Sequence, residues 1–384
     1  MDKERQGKVH YVCFYSEPEL EDRITVYPSV ISKIDYIVGA VKAAGREVNV
    51  VSVAPSQRGY FCGYAKRIDR LENHTYLPSV VHENRFLSKL CFIYNQMVIL
   101  AYLIRNVKKE DTVLVYHTLY HRLWLNIYRR ISSRDLILQI EDVFSELSDA
   151  EKRFRKMEWK LLRSMKKCIC VNDFVCGKLP DAAKKLVSYG SYLLPPKYDV
   201  PAHESIRLVY AGVIEQTRKA AFLAVEAMRH LTPSYELSIL GFGREEDISA
   251  MQQLIADVNS QLGRTAVTFH GRLSGEQYWE FLQNCDIALS THAYRSDSIS
   301  SANHTFPSKV LTYMANGLPV VAQRLEVLEL SAVRDVFSFY DDPAPEEIAK
   351  AILSVDRSSI ADPRKMIEDL NRDFEEKMEA LLQP

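Results

Sequence analysis

The sequence lacks an excess of charge of either sign. Its 49 Lys and Arg residues nearly balance 50 Asp and Glu residues, and the formal net charge is -1. No global positive field therefore attracts nucleic acid or an anionic membrane, so any such contact must come from a local patch. Hydrophobic residues make up 47% of the 384 residues, which predicts a globular protein with two domains.

Paired cysteines, a leader and a long apolar run are also missing. The seven cysteines are an odd number without paired spacing, as expected of reduced thiols in a cytosol. Residues 1–8 are charged and lead directly into an apolar strand, so no signal peptide is expected. The most apolar stretch, 86–107, is interrupted by Lys89, Asn95, Gln96 and Arg105. Its longest clean run, 97–104, is too short to span a bilayer. These features predict a cytoplasmic protein.

The first half of the chain alternates between apolar runs and amphipathic helix patterns. This alternation predicts an α/β fold with a parallel sheet. Gly45 follows the first helix pattern directly, which is typical of a helix end in a tight βαβ unit. The predicted elements are strands at 9–15, 48–53, 112–116, 136–140 and 168–171 and a helix at 29–44.

A proline-bearing polar stretch, 194–201, interrupts the alternation and predicts a hinge between domains. The alternation restarts at Ile206 and continues to Ala322, which predicts a second Rossmann-like sheet. The predicted domains are 1–197, 198–355, and a C-terminal helical segment, 356–384, that packs back on the first domain.

The densest signal is the segment from Asn303 to Ala322, which combines a loop, a helix and a buried strand. Pro307 suits the first turn of a helix, so the amides of residues 305–309 are expected to point outward unpaired. These amides would form an anion-binding site. Lys309, one turn into the helix, would place its ammonium beside the bound anion. A diphosphate fits such a site. The alternative is an ordinary capped helix with a solvated lysine.

This segment, with its Gly-Leu-Pro-Val-Val ending, resembles the GT-B glycosyltransferases, in particular the retaining nucleotide-sugar enzymes of family 4. Further similar motifs follow the family's order over 206–325, whereas the first half is similar only in layout. The resemblance implies two Rossmann-like domains whose parallel sheets face a central cleft, with the acceptor bound by 1–197 and the nucleotide-sugar donor by 198–355. The motifs are Tyr210-Ala-Gly-Val-Ile with Arg218-Lys219, Ile239-Leu-Gly-Phe-Gly, Phe269-His-Gly-Arg-Leu-Ser and Cys285-Asp-Ile-Ala-Leu-Ser.

The resemblance also implies roles for single residues. Arg218 and Lys309 would grip the donor diphosphate, Gly212 would let a phosphate or sugar approach the first turn, and Arg272 would border the nucleobase. The loop residues His304, Thr305 and Phe306 would offer backbone amides to the sugar or the β-phosphate. The implied donor-binding residues are Gly212, Arg218, Arg272, His304, Thr305, Phe306, Lys309 and Thr312.

The sequence departs from the family pattern at three positions. The family usually has two glutamates separated by seven residues, and His304 and Thr312 occupy those places here. Val213 replaces the arginine that usually follows the glycine turn. Some sugar transferases with Pro-Ser-Lys and Tyr-Met-Ala in this loop also lack the glutamates, so we interpret the departures as subfamily character.

No Asp-x-Asp pair follows a strand, so we expect neither a bound metal nor a cofactor, and the nucleotide-sugar is a substrate. Fixed cations and amides in a dry cleft would instead stabilise the charge that grows on the departing diphosphate.

In the first domain, Glu141 and Asp142 follow an apolar run, at the sheet edge where open α/β sheets bind ligands. They are candidate catalytic residues that would accept a proton or hold the acceptor, or else an acidic pair that caps a helix. His117 is a second candidate for the acceptor side, and a metal pair with His121 is the weaker interpretation.

The segment 151–167 carries eight Lys or Arg residues against two acidic residues. It predicts a peripheral contact with the inner face of a membrane, where a lipid-linked acceptor would lie, or a solvated helix that packs on the sheet. The predicted function is a retaining, metal-independent transfer of sugar from a UDP- or GDP-linked donor to a glycan or lipid-linked acceptor in cell-surface polysaccharide synthesis. The alternatives are a nucleotide-sugar epimerase of the same fold and a non-catalytic nucleotide-sugar-binding partner.

Overall fold

The computed structural model describes residues 7–25, 28–66, 73–147, 152–294, 299–356 and 361–383. The chain divides into an N-terminal unit, Met1–Ser191 with Arg372–Pro384, and a C-terminal unit, Tyr192–Asn371. The division lies before the proline-bearing stretch instead of within it. That stretch is held by hydrogen bonds within the C-terminal unit. The Gln283 side chain accepts a hydrogen bond from the Tyr198 amide (2.9 Å) and donates one to the Pro196 carbonyl (2.8 Å).

The N-terminal unit is built on an eight-stranded sheet in the order β10-β9-β8-β7-β1-β2-β5-β4. All neighbouring strands are parallel except the edge strand β4, which is antiparallel to β5. The short strands β3 and β6 pair separately. The strands are β1 (Val9–Cys13), β2 (Val48–Ser52), β3 (Tyr60–Phe61), β4 (Tyr64–Lys66), β5 (Asn73–Tyr76), β6 (Ser79–Val80), β7 (Thr112–Tyr116), β8 (Asp135–Ile140), β9 (Lys167–Cys170) and β10 (Lys184–Val187).

The central strands explain why the apolar runs of the sequence are nearly continuous. Every residue of β1 and β7 is buried, since helices cover both faces of a parallel sheet. The first helix ends as predicted, with Gly45 at φ 74° and its amide donating to the Lys42 carbonyl (2.9 Å). The helices are α1 (Pro28–Ala43), α2 (Arg85–Asn106), α3 (Arg122–Ile131), α4 (Lys152–Leu162) and α5 (Asp173–Gly177).

Helix α2 corrects one expectation. By length and composition it is long and apolar enough to cross a membrane, although the sequence analysis judged this stretch too short. The charges at Lys89 and Arg105 lie near the two ends of the helix, and the polar residues between them, Asn95 and Gln96, are uncharged. Its buried residues are Asn95, Gln96, Ile99, Leu100 and Leu103.

The C-terminal unit contains the predicted second Rossmann-like sheet, with six parallel strands in the order β13-β12-β11-β14-β15-β16. The strands are β11 (Ile206–Ile214), β12 (Tyr235–Gly243), β13 (Val267–Gly271), β14 (Ile287–Ser290), β15 (Val320–Gln323) and β16 (Phe337–Tyr340). The helices are α6 (Ala220–Ala227), α7 (Glu245–Leu262), α8 (Gly275–Gln283), α9 (Ile299–Ala302), α10 (Lys309–Ala315), α11 (Glu326–Glu329), α12 (Pro345–Leu353) and α13 (Pro363–Leu382), the last of which continues into the N-terminal unit from Arg372.

Candidate functional site

The C-terminal sheet reverses the direction of strand addition between β11 and β14. The two strands are neighbours, with Leu208 opposite Ile287 and Val209 opposite Ala288, although β12 and β13 separate them along the chain. Loops beyond such a switch point diverge and leave room for a ligand at the carboxyl ends of the strands. The loops after β11 and β14 therefore define the candidate site.

Lys309 lies beside the loop that follows β11. Its ammonium is 5.7 Å from the centre of the Tyr210 ring and lies against the backbone of Gly212, where a β-carbon would overlap it. Glycine at 212 therefore lets the cation approach the end of the strand. Lys309 as a whole residue is exposed, but its ammonium is withdrawn from water. This withdrawal, and next the charge of Arg218, lowers the pKa of Lys309 to about 8.

The start of α10 differs from the prediction. Pro307 precedes the helix, Ser308 is its N-cap, and Lys309 is its first residue instead of lying one turn inside. The amides of Val310 and Leu311 donate to the carbonyls of Pro307 and Ser308, at 3.0 and 3.1 Å, so a tight turn leads into the helix. With only seven residues, α10 has a small dipole, because the dipole sums over aligned peptide units. The lysine side chain is therefore the stronger anion-binding group.

Arg218 lies in the loop between β11 and α6. Its side chain is 78% exposed, and its Nε is 2.9 Å from Oε2 of Glu215. Burial raises the pKa of Tyr210 to about 12, and the charge of Arg218 opposes that rise as well as lowering the pKa of Lys309. The structure therefore brings Arg218 and Lys309, the two predicted cations, near one another at the switch point.

A tyrosine that the sequence analysis missed joins α10 to β11. The Tyr313 hydroxyl accepts a hydrogen bond from the Ala211 amide (2.9 Å) and donates to the Ala211 carbonyl (3.2 Å). Tyr313 is buried, and it lies one turn after Lys309 in the same helix. These two bonds hold the helix that carries Lys309 against the strand end that carries Gly212.

His292 and Tyr294, which were also missed, follow β14 on the other side of the switch point. Their rings stack at 5.1 Å with an angle of 25° between the planes. Burial, followed by the charges of Lys309 and Arg218, lowers the pKa of His292 to about 4, so its imidazole is neutral near pH 7. The only signal for these residues in the sequence is their position directly after a buried strand.

The structure corrects the prediction that the backbone amide of His304 is free to bind a ligand. The His304 amide donates to the Ser301 carbonyl (3.0 Å), so it is not available to a ligand, and the His304 side chain is 3% exposed. Phe306 is also buried, and Thr305 is half-buried. Amide donation by Thr305 and Phe306 stays a prediction.

Thr312 and Arg272, the two remaining predicted donor-binding residues, lie on different elements of the C-terminal unit. Thr312 is half-buried on α10, and its carbonyl accepts a hydrogen bond from the Asn316 side chain (2.8 Å). Arg272 directly follows β13, and its guanidinium lies 5.1 Å from the centre of the exposed Phe242 ring at the end of β12. This exposed cation–π pair offers a flat surface at the carboxyl edge of the sheet, as a nucleobase contact requires.

In the N-terminal unit, Glu141 lies at the carboxyl end of β8 within a polar cluster. Its Oε2 is 3.1 Å from the ammonium of the buried Lys33, and its Oε1 accepts a hydrogen bond from the Gln139 side chain (2.6 Å). Asp142 is half-buried next to it. Burial, and next the charges of Glu141 and Asp142, raises the pKa of Tyr116 well above its usual range. The switch point of this sheet lies between β1 and β7.

The structure places His117 in the interior and not on a ligand-facing surface. Its Nε2 is 2.7 Å from Oε1 of Glu158, and both side chains are fully buried. The Glu158 carboxylate also accepts hydrogen bonds from the amides of Phe144 (3.2 Å) and Ser145 (2.8 Å). His121 is buried too, and its Nδ1 accepts a hydrogen bond from the Trp124 indole (3.0 Å). The pair His117–Glu158 therefore joins β7 to α4 as a structural contact.

Residues 205–356 match the family model described as Glycosyl transferases group 1. No curated protein matches the sequence of the chain. The match confirms the resemblance that the motifs of the C-terminal half had indicated.

Solved structures are similar over nearly the whole chain. A glycosyltransferase from Rickettsia africae ESF-5 is 15% identical, with 99% of each chain covered and a TM-score of 0.62. The E. coli trehalose-6-phosphate structure bound with UDP-2-fluoro glucose is 10% identical, with 98% of this chain and 99% of that chain covered and a TM-score of 0.65. Anabaena Alr3699/HepE in complex with UDP is 12% identical, with 97% and 100% covered and a TM-score of 0.59. These similarities confirm the predicted GT-B fold with its two Rossmann-like domains.

Proposed function

We propose that this chain, whose residues 205–356 form a glycosyl transferases group 1 domain on a GT-B fold, transfers a sugar from a nucleotide diphosphate sugar to an acceptor. The donor is UDP- or GDP-linked, and the reaction proceeds with retention and without a bound metal or cofactor. The acceptor is a glycan or a lipid-linked sugar in cell-surface polysaccharide synthesis. The protein acts in the cytoplasm or at the inner face of a membrane.

One observation carries the proposal, namely that the Lys309 ammonium lies against Gly212 at the switch point of the C-terminal sheet, where the nearby charge of Arg218 lowers its pKa. A lysine whose pKa is lowered by burial and by a neighbouring arginine gains most from a ligand with two or more negative charges. A diphosphate has that charge, and its charge grows as the bond to the sugar breaks. Cations held in place before the reaction stabilise that state more than the ground state.

The solved structures support the choice of donor. Anabaena Alr3699/HepE is in complex with UDP, and the E. coli trehalose-6-phosphate structure is bound with UDP-2-fluoro glucose. We therefore test UDP before GDP. Arg272 with Phe242 is the proposed surface for the base, and the amides of Thr305 and Phe306 are the proposed contacts for the sugar or the β-phosphate.

On the acceptor side, we propose Glu141 and Asp142 as the carboxylates that hold the acceptor or take its proton. Both follow β8 at the carboxyl edge of the N-terminal sheet. The contacts with Lys33 and Gln139 orient the Glu141 carboxylate, which suits either role. The basic segment 151–167 is the proposed contact with a membrane that carries the acceptor.

The test is isothermal titration of UDP and GDP in the presence of EDTA. Lys309→Ala removes the buried ammonium, and we expect the affinity for the nucleotide to fall by at least about tenfold, the ratio for loss of one charged hydrogen bond. Lys350→Ala is the matched control, because Lys350 lies in the same unit but pairs with Glu347 on the exposed side of α12. Unchanged affinity in Lys309→Ala, or binding that needs a divalent cation, would contradict the proposal.

Activity separates the two alternatives. Conversion of the donor to a new nucleotide-sugar without any acceptor would identify an epimerase. Tight nucleotide binding without turnover over a panel of acceptors would identify a non-catalytic partner, as the replacement of both family glutamates by His304 and Thr312 allows.

A further inference from the structure

Helix α2 presents an apolar face to solvent. Its exposed large hydrophobic residues recur every three or four positions, which places them on one side of the helix. These residues, which we call the α2 face, are Phe86 (68% exposed), Leu87 (39%), Leu90 (50%), Ile93 (48%), Tyr94 (43%), Met97 (46%) and Ile104 (52%). From Phe86 to Ile104 the face is about 27 Å long, given a rise of 1.5 Å per residue. Monomeric soluble proteins rarely expose apolar patches of that extent without a function.

The polar residues in the middle of α2 lie on the opposite, buried side. The Asn95 side chain accepts a hydrogen bond from the Val80 amide and donates to the Val80 carbonyl, each at 2.9 Å. Leu103 is fully buried. The packing of this inner side fixes the rotation of the helix, so the α2 face is directed outward by the fold itself.

Basic residues flank the α2 face on the side of α3 and α4. An open groove of about 750 Å³ runs between α2, α3 and α4, and its lining includes Lys89, Arg122, Arg130 and Arg153. Within these three helices the single acidic residue is Glu158, which is buried against His117. The solvent side of the three helices is therefore basic and apolar at once, although the whole chain has a net charge of -1.

We propose that the α2 face inserts into the interfacial layer of a membrane with anionic lipids, with the helix lying in the membrane plane. An apolar helix face flanked by lysines and arginines matches both parts of such a surface, the acyl boundary and the phosphate headgroups. A second copy of the chain is a poorer occupant, because a two-fold contact through this surface would bring Arg122, Arg130 and Arg153 towards their own copies.

Helix α2, and not α4, makes the main contact with the membrane. The apolar residues Trp159, Leu161 and Leu162 of α4 are buried, so α4 offers lysines and arginines but little apolar surface apart from Met157. Helix α2 supplies the apolar face that α4 lacks, and α4 supplies charge. The contact does not depend on sugar transfer, so it is measured without donor or acceptor.

The test is co-sedimentation of the full chain with phosphatidylcholine vesicles, with and without phosphatidylglycerol. We expect binding to the anionic vesicles that weakens as salt rises. The double variant Leu90→Glu/Met97→Glu places two charges on the α2 face and is expected to lower the partition coefficient by about tenfold or more. The matched control, Leu330→Glu/Leu353→Glu, changes two leucines that are 52% and 53% exposed in the C-terminal unit, and it should bind like the parent.

Circular dichroism establishes that the variants are folded, and sedimentation velocity measures oligomeric state. Failure of the parent to bind anionic vesicles would overturn the inference, as would equal binding by the α2 double variant. A dimer in solution that the α2 double variant dissociates would also overturn it, since the face would then be an interface between copies. Loss of vesicle binding in the folded α2 double variant alone would support it.

Discussion

The surroundings of Lys309 indicate which kind of ligand the site favours. Its ammonium is withdrawn from water and lies near a second cation, and both effects lower its pKa, to about 8. Within the described residues, burial and the charge of Arg218 account for this lowered pKa, and no carboxylate opposes them. Such an arrangement is unfavourable by itself and becomes favourable when an anion binds.

This environment predicts a pH dependence of nucleotide binding. A bound diphosphate favours the protonated lysine and raises its pKa above the value of about 8 in the ligand-free protein. Affinity should therefore be highest below pH 8 and fall by about tenfold between pH 7 and pH 9, as the ligand-free lysine loses its proton. Titration calorimetry of UDP across this range measures the effect.

Lys309→Arg provides the control for this profile, because a guanidinium stays charged throughout the range. The variant should bind UDP with an affinity that changes little between pH 7 and pH 9, whatever its absolute value. A flat profile in the parent protein would show that Lys309 does not contact the diphosphate.

At the scale of elements, the site depends on how α10 is held against β11. Tyr313 makes both hydrogen bonds to the backbone of Ala211, next to Gly212. The tyrosine hydroxyl acts as acceptor and donor at once, and phenylalanine can do neither. The contact therefore both satisfies a buried amide and sets the position of the Lys309 helix.

Tyr313→Phe is expected to destabilise the protein by about 1–3 kcal/mol, because it leaves the Ala211 amide buried without its acceptor. It should also weaken UDP binding, since the helix carrying Lys309 loses its fixed position against Gly212. Urea unfolding gives the first quantity and calorimetry the second. Tyr235→Phe is a suitable control, as Tyr235 is a buried tyrosine of the same unit. Stability equal to that of the parent would refute the role of the Tyr313 hydroxyl.

At the scale of the whole molecule, ligand binding and stability are linked. A ligand that binds only the folded state at about one hundred times its dissociation constant adds about 2.7 kcal/mol to the free energy of unfolding. A thermal-shift panel of nucleotides and nucleotide-sugars with EDTA should therefore identify the donor as the compound with the largest rise in Tm.

The same panel with Lys309→Ala provides the comparison. The rise in Tm should fall to about half or less for every nucleotide in that variant, as a tenfold loss of affinity requires, and persist unchanged in Lys350→Ala. If no nucleotide raises the Tm of the parent protein, the nucleotide-sugar proposal fails at the level of the whole molecule, independently of any single residue.

The sequence by itself determined the fold class, most strand positions and the two cations. Thr112–Tyr116 is a strand with the predicted bounds, because buried parallel strands produce apolar runs that local patterning reveals. The end of α1 at Gly45 was also predicted correctly, because a glycine at a helix end depends only on the local backbone conformation. Lys309 and Arg218 were predicted from motifs that occur in the same order as in the GT-B glycosyltransferases.

Only the tertiary structure decided the surroundings of these residues. It joined Tyr313 to Ala211, more than one hundred positions earlier in the chain, and it buried His117 against Glu158. It also turned the α2 face outward and the side-chain amides of Asn95 and Gln96 inward. The helical period alone does not decide which side of α2 faces the core, because both sides carry apolar residues. Which residue faces the core or the ligand depends on strand order and packing partners, and those are contacts between segments that local sequence does not encode.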